Sequence, residues 1–510
     1  MDRSDLITMA EWHTTVTPPA LARLLAAARL PEPAGHRPAY RTLAGQVRTL
    51  VSEGRLPVGA RLPAERELAA ALTLSRTTVA TAYEALRAEG YLHSRRGAGS
   101  WTALPEGARP PSDAMHPVPP DEQDQTLDLG VAALPAPQPY LGEAAARAVE
   151  QLPAYAAGHG CYPTGLPVLR EAIARRFTAR GLPTTPDQIL VTTGAMGALH
   201  LVLRALLGRG DRVAVEAPTY AHTLQALRLG GSRLVPVPHA WPGGPERLPL
   251  WDVAEWQRVL RGAAPKVAYV IPDFHNPTGT LITEEQRRRL LAAARAAGTV
   301  VLVDETTAEL GWGSADDAPM PRPTAALDRG AHVVTVGSAS KLLWGGLRIG
   351  WVRAAPSFVR RLAVDRVYSD VGTPVLDQLI AAALLGDPLP DVRSHQLQRL
   401  RATAAALTAG LRERLPGWRF AEPPGGLCLW LATDGVSGSA LAAAGERGGV
   451  RIAAGTRFGS DGAFENFIRV PLTVPAAAVP AAVERLAAVA ARAAAGEHWP
   501  AAEDRPPLAV

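Results

Sequence analysis

Apolar residues recur along this chain at two periods, and the switch between them divides it. Near the start, Leu21, Leu24, Leu25 and Ala28 have helical spacing, which predicts a short docking helix and nothing more specific within residues 1–37. From residue 38 the helical period covers Leu43, Val47, Leu50 and Val51. A turn, RLPVGARLP (55–63), follows, with Pro63 placed to open a second helix, AERELAAAL (64–72). Ser75 is placed to cap a third, RTTVATAYEALRAEG (76–90). YLHSRRGAGSWTA (91–103) then predicts two short strands turning at Gly97–Gly99. Residues 104–126 include six prolines and almost no large apolar side chains, the pattern of a stiff, extended linker. Beyond 127, Val/Ile-rich runs alternate with Ala/Leu/Arg-rich helical stretches: ILVTT (189–193), RVAVEAP (212–218), VAYVIP (267–272), TVVLVDE (299–305) and HVVTVGS (332–338). Such alternation predicts a parallel sheet wrapped by helices over 127–495. After about 375 the pattern is helical, and it closes in a smaller α+β portion around CLWLA (428–432) and FIRVPL (467–472), with 496–510 left as a tail.

Composition narrows the class. At ~150 residues per domain, 510 residues predict two to four domains. Apolar residues at 47% and charged residues at 20% are globular values. No run approaches the ~20 apolar residues of a membrane span, and the charged start MDRSDLITMAEW lacks a signal-peptide core. Cys161 and Cys428 fit neither a disulfide framework nor a metal site, so a reducing cytoplasm and no metal are expected. Secreted, membrane and disulfide-scaffold classes are excluded. The formal net charge is +5, and residues 36–104 hold ten arginines against five glutamates, so the whole excess lies in that segment. This is the footprint of a polyanion-binding module on a neutral body. Only Lys266 and Lys341 are lysines, which leaves few candidates for chemistry that needs a primary amine.

Three helices and a hairpin make a winged helix-turn-helix, whose third helix presents its first turn to the major groove. Arg76, Thr77 and Thr78 occupy that turn, and Arg95 and Arg96 the wing. Arg76 suits a guanine edge or a phosphate, and the threonines suit phosphates or a thymine methyl. The competing reading is a solvated basic face on a small helical domain. The stretches GARLPAERELAAAL, SRTTVATAYEALRAEGYL and RRGAGSW resemble the GntR family of DNA-binding domains. That resemblance implies double-stranded DNA as partner, with contacts from Arg66, Ser75, Arg76, Thr77, Thr78, Arg95, Arg96 and Gly97. Ala64 stands where many members have serine, which removes one phosphate contact.

Seven features of the body make chemical sense in order. ILVTTGAMGALHLVL is a strand, a glycine turn and a helix, so the amides of Gly194, Ala195 and Met196 lie at a helix N-terminus suited to a phosphate. Tyr220, in EAPTY, follows a strand's carboxyl end, where a ring could stack on a planar ligand, although taken alone a core or rim aromatic is the more ordinary reading. Asn276, in HNPTG, fits a donor to a ring hydroxyl or plain turn chemistry. Asp304 ends VVLVD, where a carboxylate needs a cationic partner such as a protonated pyridine nitrogen. In SASKLLWGGLRIG, Lys341 sits between small residues with Ser338 and Ser340 nearby, as a Schiff-base lysine requires. Arg348 can pair with a phosphate, and Arg469, in NFIRVPL, can clamp a carboxylate.

In this order the features resemble the fold-type I aminotransferases, pyridoxal 5'-phosphate enzymes of α/β architecture with a small C-terminal α+β subdomain, across about 127–495. The resemblance implies Lys341 as the Schiff-base lysine, Asp304 at the pyridine nitrogen and Asn276 at the ring hydroxyl. It implies Tyr220 as the stacking ring, and Gly194, Ala195, Met196, Ser338, Ser340 and Arg348 around the phosphate. Arg469 would take an amino-acid carboxylate, and Tyr162, in YPTGLPVLREAIA, would reach the neighbouring subunit's phosphate. One departure stands out: the family's tyrosine after the aspartate is replaced in DETTAEL by Thr306 or Thr307, which weakens the case for efficient transamination.

A GntR-like reader joined by a Pro-rich linker to such a body resembles the MocR subfamily of bacterial transcriptional regulators. That resemblance implies a head-to-tail homodimer in which pyridoxal phosphate, alone or with an amine or amino acid, shifts DNA binding. The alternative is a working aminotransferase with an accessory DNA-binding domain.

Overall fold

The computed structural model describes residues 15–27, 38–52, 56–95, 99–105, 126–312, 320–328, 330, 332–460 and 462–495. The N-terminal unit contains helices α1 (Pro18–Ala27), α2 (Ala39–Ser52), α3 (Glu65–Leu72) and α4 (Arg76–Ala88) and the hairpin β1 (Leu92–Arg95) and β2 (Gly99–Thr102). The expected apolar stripe Leu43, Val47, Leu50 and Val51 is buried, together with Leu68, Val79, Tyr83 and Leu86. The docking helix also finds its place here. Leu21 and Leu25 of α1 join the same core, against α2 and α3, so the packed reader draws on the segment read as an N-terminal extension.

The body supplies strands β3 (Leu127–Leu129), β4 (Ile189–Thr193), β5 (Arg212–Ala217), β6 (Arg233–Pro238), β7 (Val267–Val270), β8 (Val300–Asp304), β9 (Val333–Ser338), β10 (Ile349–Arg353), β11 (Cys428–Ala432), β12 (Val450–Ala454) and β13 (Phe467–Pro471). Its helices are α5 (Tyr140–Gln151), α6 (Pro153–Ala156), α7 (Pro167–Ala179), α8 (Gly194–Leu206), α9 (Ala221–Leu229), α10 (Val253–Ala263), α11 (Glu284–Ala296), α12 (Pro356–Arg366), α13 (Val375–Leu384), α14 (Leu389–Arg414), α15 (Gly438–Arg447) and α16 (Val479–Ala495). Seven strands form one sheet in the order β4-β10-β9-β8-β7-β5-β6. The sheet is mixed rather than wholly parallel, because β10 runs antiparallel to both β4 and β9.

Side-chain alternation sends this sheet into two apolar layers. Val213, Val215, Val267, Tyr269, Leu302 and Val336 pack with Leu199 of α8 and Leu224 of α9. Ala214, Ala268, Val270, Val301 and Val303 pack on the opposite face with Trp256 of α10 and Leu290 of α11. Burial on both faces explains why the strands read as continuous Val/Ile runs. The same alternation separates Asp304 from Glu305: Asp304 faces Tyr269, whereas Glu305 pairs with Arg180 at 3.1 Å.

The small sheet, β11-β13-β12-β3, takes its edge strand β3 from the start of the body, parallel to β12. The segment just after β3 is thereby held against the C-terminal portion that carries Arg469. Among the described residues no helix is long and apolar enough to cross a membrane.

Candidate functional site

Lys341 lies in the turn after β9, at the mouth of the large sheet. Its Nζ donates to the carbonyl of Ala132 at 2.7 Å. Burial pushes its ammonium down to about 8; Arg469 adds to the shift and Asp304 opposes it. Asp304, at the end of β8, is itself raised by burial. That rise is opposed by the Tyr269 hydroxyl, which donates to Oδ2 at 2.7 Å, and by the Thr306 amide, which donates to Oδ1 at 3.0 Å. The Thr223 hydroxyl donates to the Tyr269 oxygen at 3.1 Å, so a buried relay runs Thr223 to Tyr269 to Asp304.

The end at the start of α8 is built from glycine. Gly194 opens the 13-residue α8 at φ 72°, and the Arg348 guanidinium lies 2.7 Å from where a Cβ on Gly194 would stand. Gly350 of β10 is equally constrained, since a Cβ there would meet the Gly194 carbonyl carbon at 2.3 Å. These two glycines let Arg348 close over a helix N-terminus whose first amides, Gly194, Ala195 and Met196, have no partner within the helix. Ser338 Oγ donates to the Ile349 carbonyl at 3.4 Å and accepts from the Ser340 amide at 3.0 Å, bracing the lysine turn.

At the other end, Arg469 of β13 is buried with Phe458 under its guanidinium, 5.2 Å from the ring centroid. It donates to the Gly130 carbonyl, and its Nε finds no partner among the described residues. Burial lowers its pKa. Carbonyls two residues apart, Gly130 and Ala132, thus hold the two inward-facing cations. Tyr220 precedes α9, its hydroxyl 2.7 Å from His222 Nδ1. Asn276 accepts at Oδ1 from the Cys428 thiol at 3.8 Å, and burial pushes that thiol up to about 11. Tyr162 stands apart from this constellation within the chain, edge-on to Tyr155 with centroids 6.1 Å apart.

In the reader, Ser75 Oγ accepts from the Thr78 amide at 3.0 Å and caps α4. Arg76 and Thr77 are exposed on that first turn, and Arg66 is exposed on α3. Ala64 precedes α3 without a side-chain cap; the Glu67 carboxylate instead accepts from its amide at 3.4 Å. The Arg95 side chain, Arg96 and Gly97 lie outside the described residues. Arg61, not singled out from sequence, reaches the wing: its Nε is 2.9 Å from where a Cβ on Gly99 would stand.

Residues 126–486 match the family model described as aminotransferase class I and II, and residues 39–101 match that of bacterial regulatory proteins, gntR family. The chain belongs to the class I and II aminotransferase family. It couples that domain to a GntR-type helix-turn-helix, the architecture shared with regulators named as MocR and HTH-type. It is 28% identical to the HTH-type transcriptional regulator YdfD of Bacillus subtilis over 77% of this chain and 84% of that protein. It is also 28% identical to the probable rhizopine catabolism regulatory protein MocR of Rhizobium meliloti, over 75% and 78%. The crystal structure of LysN, the α-aminoadipate aminotransferase of Thermus thermophilus in complex with N-(5'-phosphopyridoxyl)-L-leucine, aligns with a TM-score of 0.64 at 30% identity, over 72% of this chain and 92% of that one.

The class I and II family is pyridoxal phosphate-dependent, and the residues present fit that group. A desolvated primary amine, a buried carboxylate, a glycine-lined helix N-terminus under an arginine, and a buried arginine with an unpartnered Nε are together what its aldehyde, ring nitrogen, phosphate and substrate carboxylate require. Two threonines stand where the family's tyrosine would be. Thr306 holds Asp304 through its amide, and Thr307 Oγ1 donates to the Asp273 carbonyl at 2.7 Å. The phenol that touches Asp304 comes from Tyr269, whose place in VAYV reads only as strand core.

Proposed function

We propose that this family member is a pyridoxal phosphate-binding transcriptional regulator whose body senses the cofactor, with or without an amine or amino acid, and alters how the reader grips double-stranded DNA. The observation that carries the reading is Lys341: one desolvated lysine, facing Asp304, in a chain that also carries a capped, exposed recognition helix.

Lys341 is the amine to which the cofactor would be joined, Asp304 would face its ring nitrogen, Asn276 its ring hydroxyl and Tyr220 its face. Gly194, Ala195, Met196, Ser338, Ser340 and Arg348 would hold the phosphate. When bound, the cofactor supplies an aldehyde that exchanges amines and a ring that withdraws electrons. The chain's own residues do the rest. Lys341 offers an unprotonated amine at mildly alkaline pH because burial disfavours its charge. Asp304 keeps its charge through the Tyr269 and Thr306 donors. Arg469 exchanges the Gly130 carbonyl for an effector carboxylate, which frees the segment after β3. Arg66, Ser75, Arg76, Thr77, Thr78, Arg95, Arg96 and Gly97 would contact DNA, and the protein would act in the cytoplasm as a head-to-tail homodimer. Exposed Val364, Val367, Tyr368 and Val371 give the body an apolar patch suited to such a contact. Tyr162 would reach the partner's phosphate across it.

A second reading, a working aminotransferase, is favoured by the likeness to LysN; Thr306 and Thr307 in place of tyrosine favour regulation. The test is Lys341→Ala. The regulator reading expects loss of the bound cofactor's visible absorbance in the variant, and negligible turnover of amino donors with keto acids in the native chain. An unchanged spectrum would remove the cofactor assignment, and brisk turnover would favour the enzyme.

A further inference from the structure

Three residues far apart in sequence, Glu216, His239 and His275, meet at the carboxyl ends of adjacent strands. Glu216 lies on β5, His239 directly follows β6, and His275 follows β7. All three are buried, and one ligand atom from each lies within 4.8 Å of the others. No part of the cofactor seat uses them, and the sequence reading expected no metal.

Both imidazoles face the one carboxylate. Glu216 Oε1 faces His239 Nε2 at 3.7 Å, and Oε2 faces His275 Nε2 at 3.4 Å. Neither approach meets hydrogen-bond distance and angle together. The separations are close to the roughly 3.3 Å ligand–ligand edge of a tetrahedron with metal bonds of about 2.0–2.1 Å. Among the described residues neither ring nitrogen of His239 has a hydrogen-bond partner, nor does His275 Nε2. Buried imidazoles are ordinarily hydrogen-bonded, and here two Nε2 atoms face one carboxylate without such a bond.

The surrounding donors hold the ligands in place. Trp251 Nε1 donates to Glu216 Oε1 at 2.9 Å, and the Ile271 amide donates to Oε2 at 2.8 Å. His275 Nδ1 lies 2.9 Å from Thr278 Oγ1, the outer contact that leaves Nε2 free to ligate.

We propose that Glu216, His239 and His275 bind a divalent transition-metal ion of the zinc class, with a fourth position open to water. Two imidazoles and a carboxylate suit zinc over magnesium or calcium, which prefer all-oxygen shells. The ion would clip together three strand ends from which the chain runs directly to Tyr220 and to Asn276. The proposal stands independently of the regulatory reading, since it uses none of the cofactor residues.

The test is elemental analysis of the tag-free, full-length protein, purified without chelator and again after refolding with zinc and desalting. About one zinc per chain is expected, falling at least tenfold in His239→Ala and in His275→Ala, with cobalt substitution giving the intense visible bands of a four-coordinate site. Metal-free protein from both preparations would overturn the proposal, as would variants that retain the full metal content. Should both variants fail to fold, the native chain decides: four-coordinate cobalt bands support the site, and weak six-coordinate bands or none refute it.

Discussion

Removing one oxygen atom from the core tests how Asp304 keeps its charge. In Tyr269→Phe the carboxylate loses its donor at 2.7 Å, and the Thr223 hydroxyl loses its acceptor at 3.1 Å. Tyr269 is 1% exposed and Asp304 8%, so water does not replace the lost bond. A hydrogen bond to an ionised group contributes about 1.5–3 kcal/mol. Its loss therefore raises the Asp304 pKa further. The sign follows. The lost donor favoured the ionised carboxylate, so at a given pH the variant holds less of the charge that would face the ring nitrogen. Pyridoxal phosphate should therefore bind about tenfold more weakly near neutral pH, and the deficit should shrink as pH rises by the size of the shift. Absorbance titrations of the cofactor-free protein between pH 6 and 9, beside urea unfolding of both proteins, read the two effects. Identical affinities at every pH would refute the claim that this phenol sustains Asp304.

Other consequences follow from the same geometry. Because burial brings Lys341 down to about 8, only its protonated form is disfavoured, and cofactor association should climb from pH 6 to about 8 and then level off; a rate still climbing toward pH 10 would contradict that. Ser75→Ala removes the acceptor of the Thr78 amide and should cost about 1 kcal/mol of reader stability, read by thermal unfolding together with a loss of DNA affinity. Gly350→Ala drives a Cβ into the backbone of Gly194 and should cost about 1–3 kcal/mol and weaken phosphate binding, whereas Gly345→Ala, with nothing within 4 Å, should do neither.

Much of this architecture is legible because local and global preferences agree. The five Val/Ile runs are strands buried on both faces, and the Ser75 cap and the glycine turn at 194 have direct backbone causes. What escaped reading is equally physical. β6 carries Pro236 and Pro238, which a sheet tolerates at its edge, where this strand lies. β10 was concealed inside the glycine-rich stretch that carries Arg348, and its antiparallel direction has no signature in one strand's sequence. The motif residues Lys341, Asp304 and Arg348 stood out because each ends a strand or opens a turn. Tyr269 and Cys428 looked like core, since only packing aims a hydroxyl at Asp304 and a thiol at Asn276. Glu216, His239 and His275 share no spacing at all; two crossovers, through α9 and α10, bring them together.

The most direct test of the central claim is fluorescence anisotropy of the full-length protein on DNA from upstream of its own gene, with and without pyridoxal phosphate, at two salt concentrations so that phosphate attraction is separated from site recognition. The account expects binding tighter than to random DNA and an affinity that changes with cofactor in the native chain but not in Lys341→Ala. Binding no tighter than to random DNA, or an affinity indifferent to the cofactor, would contradict it.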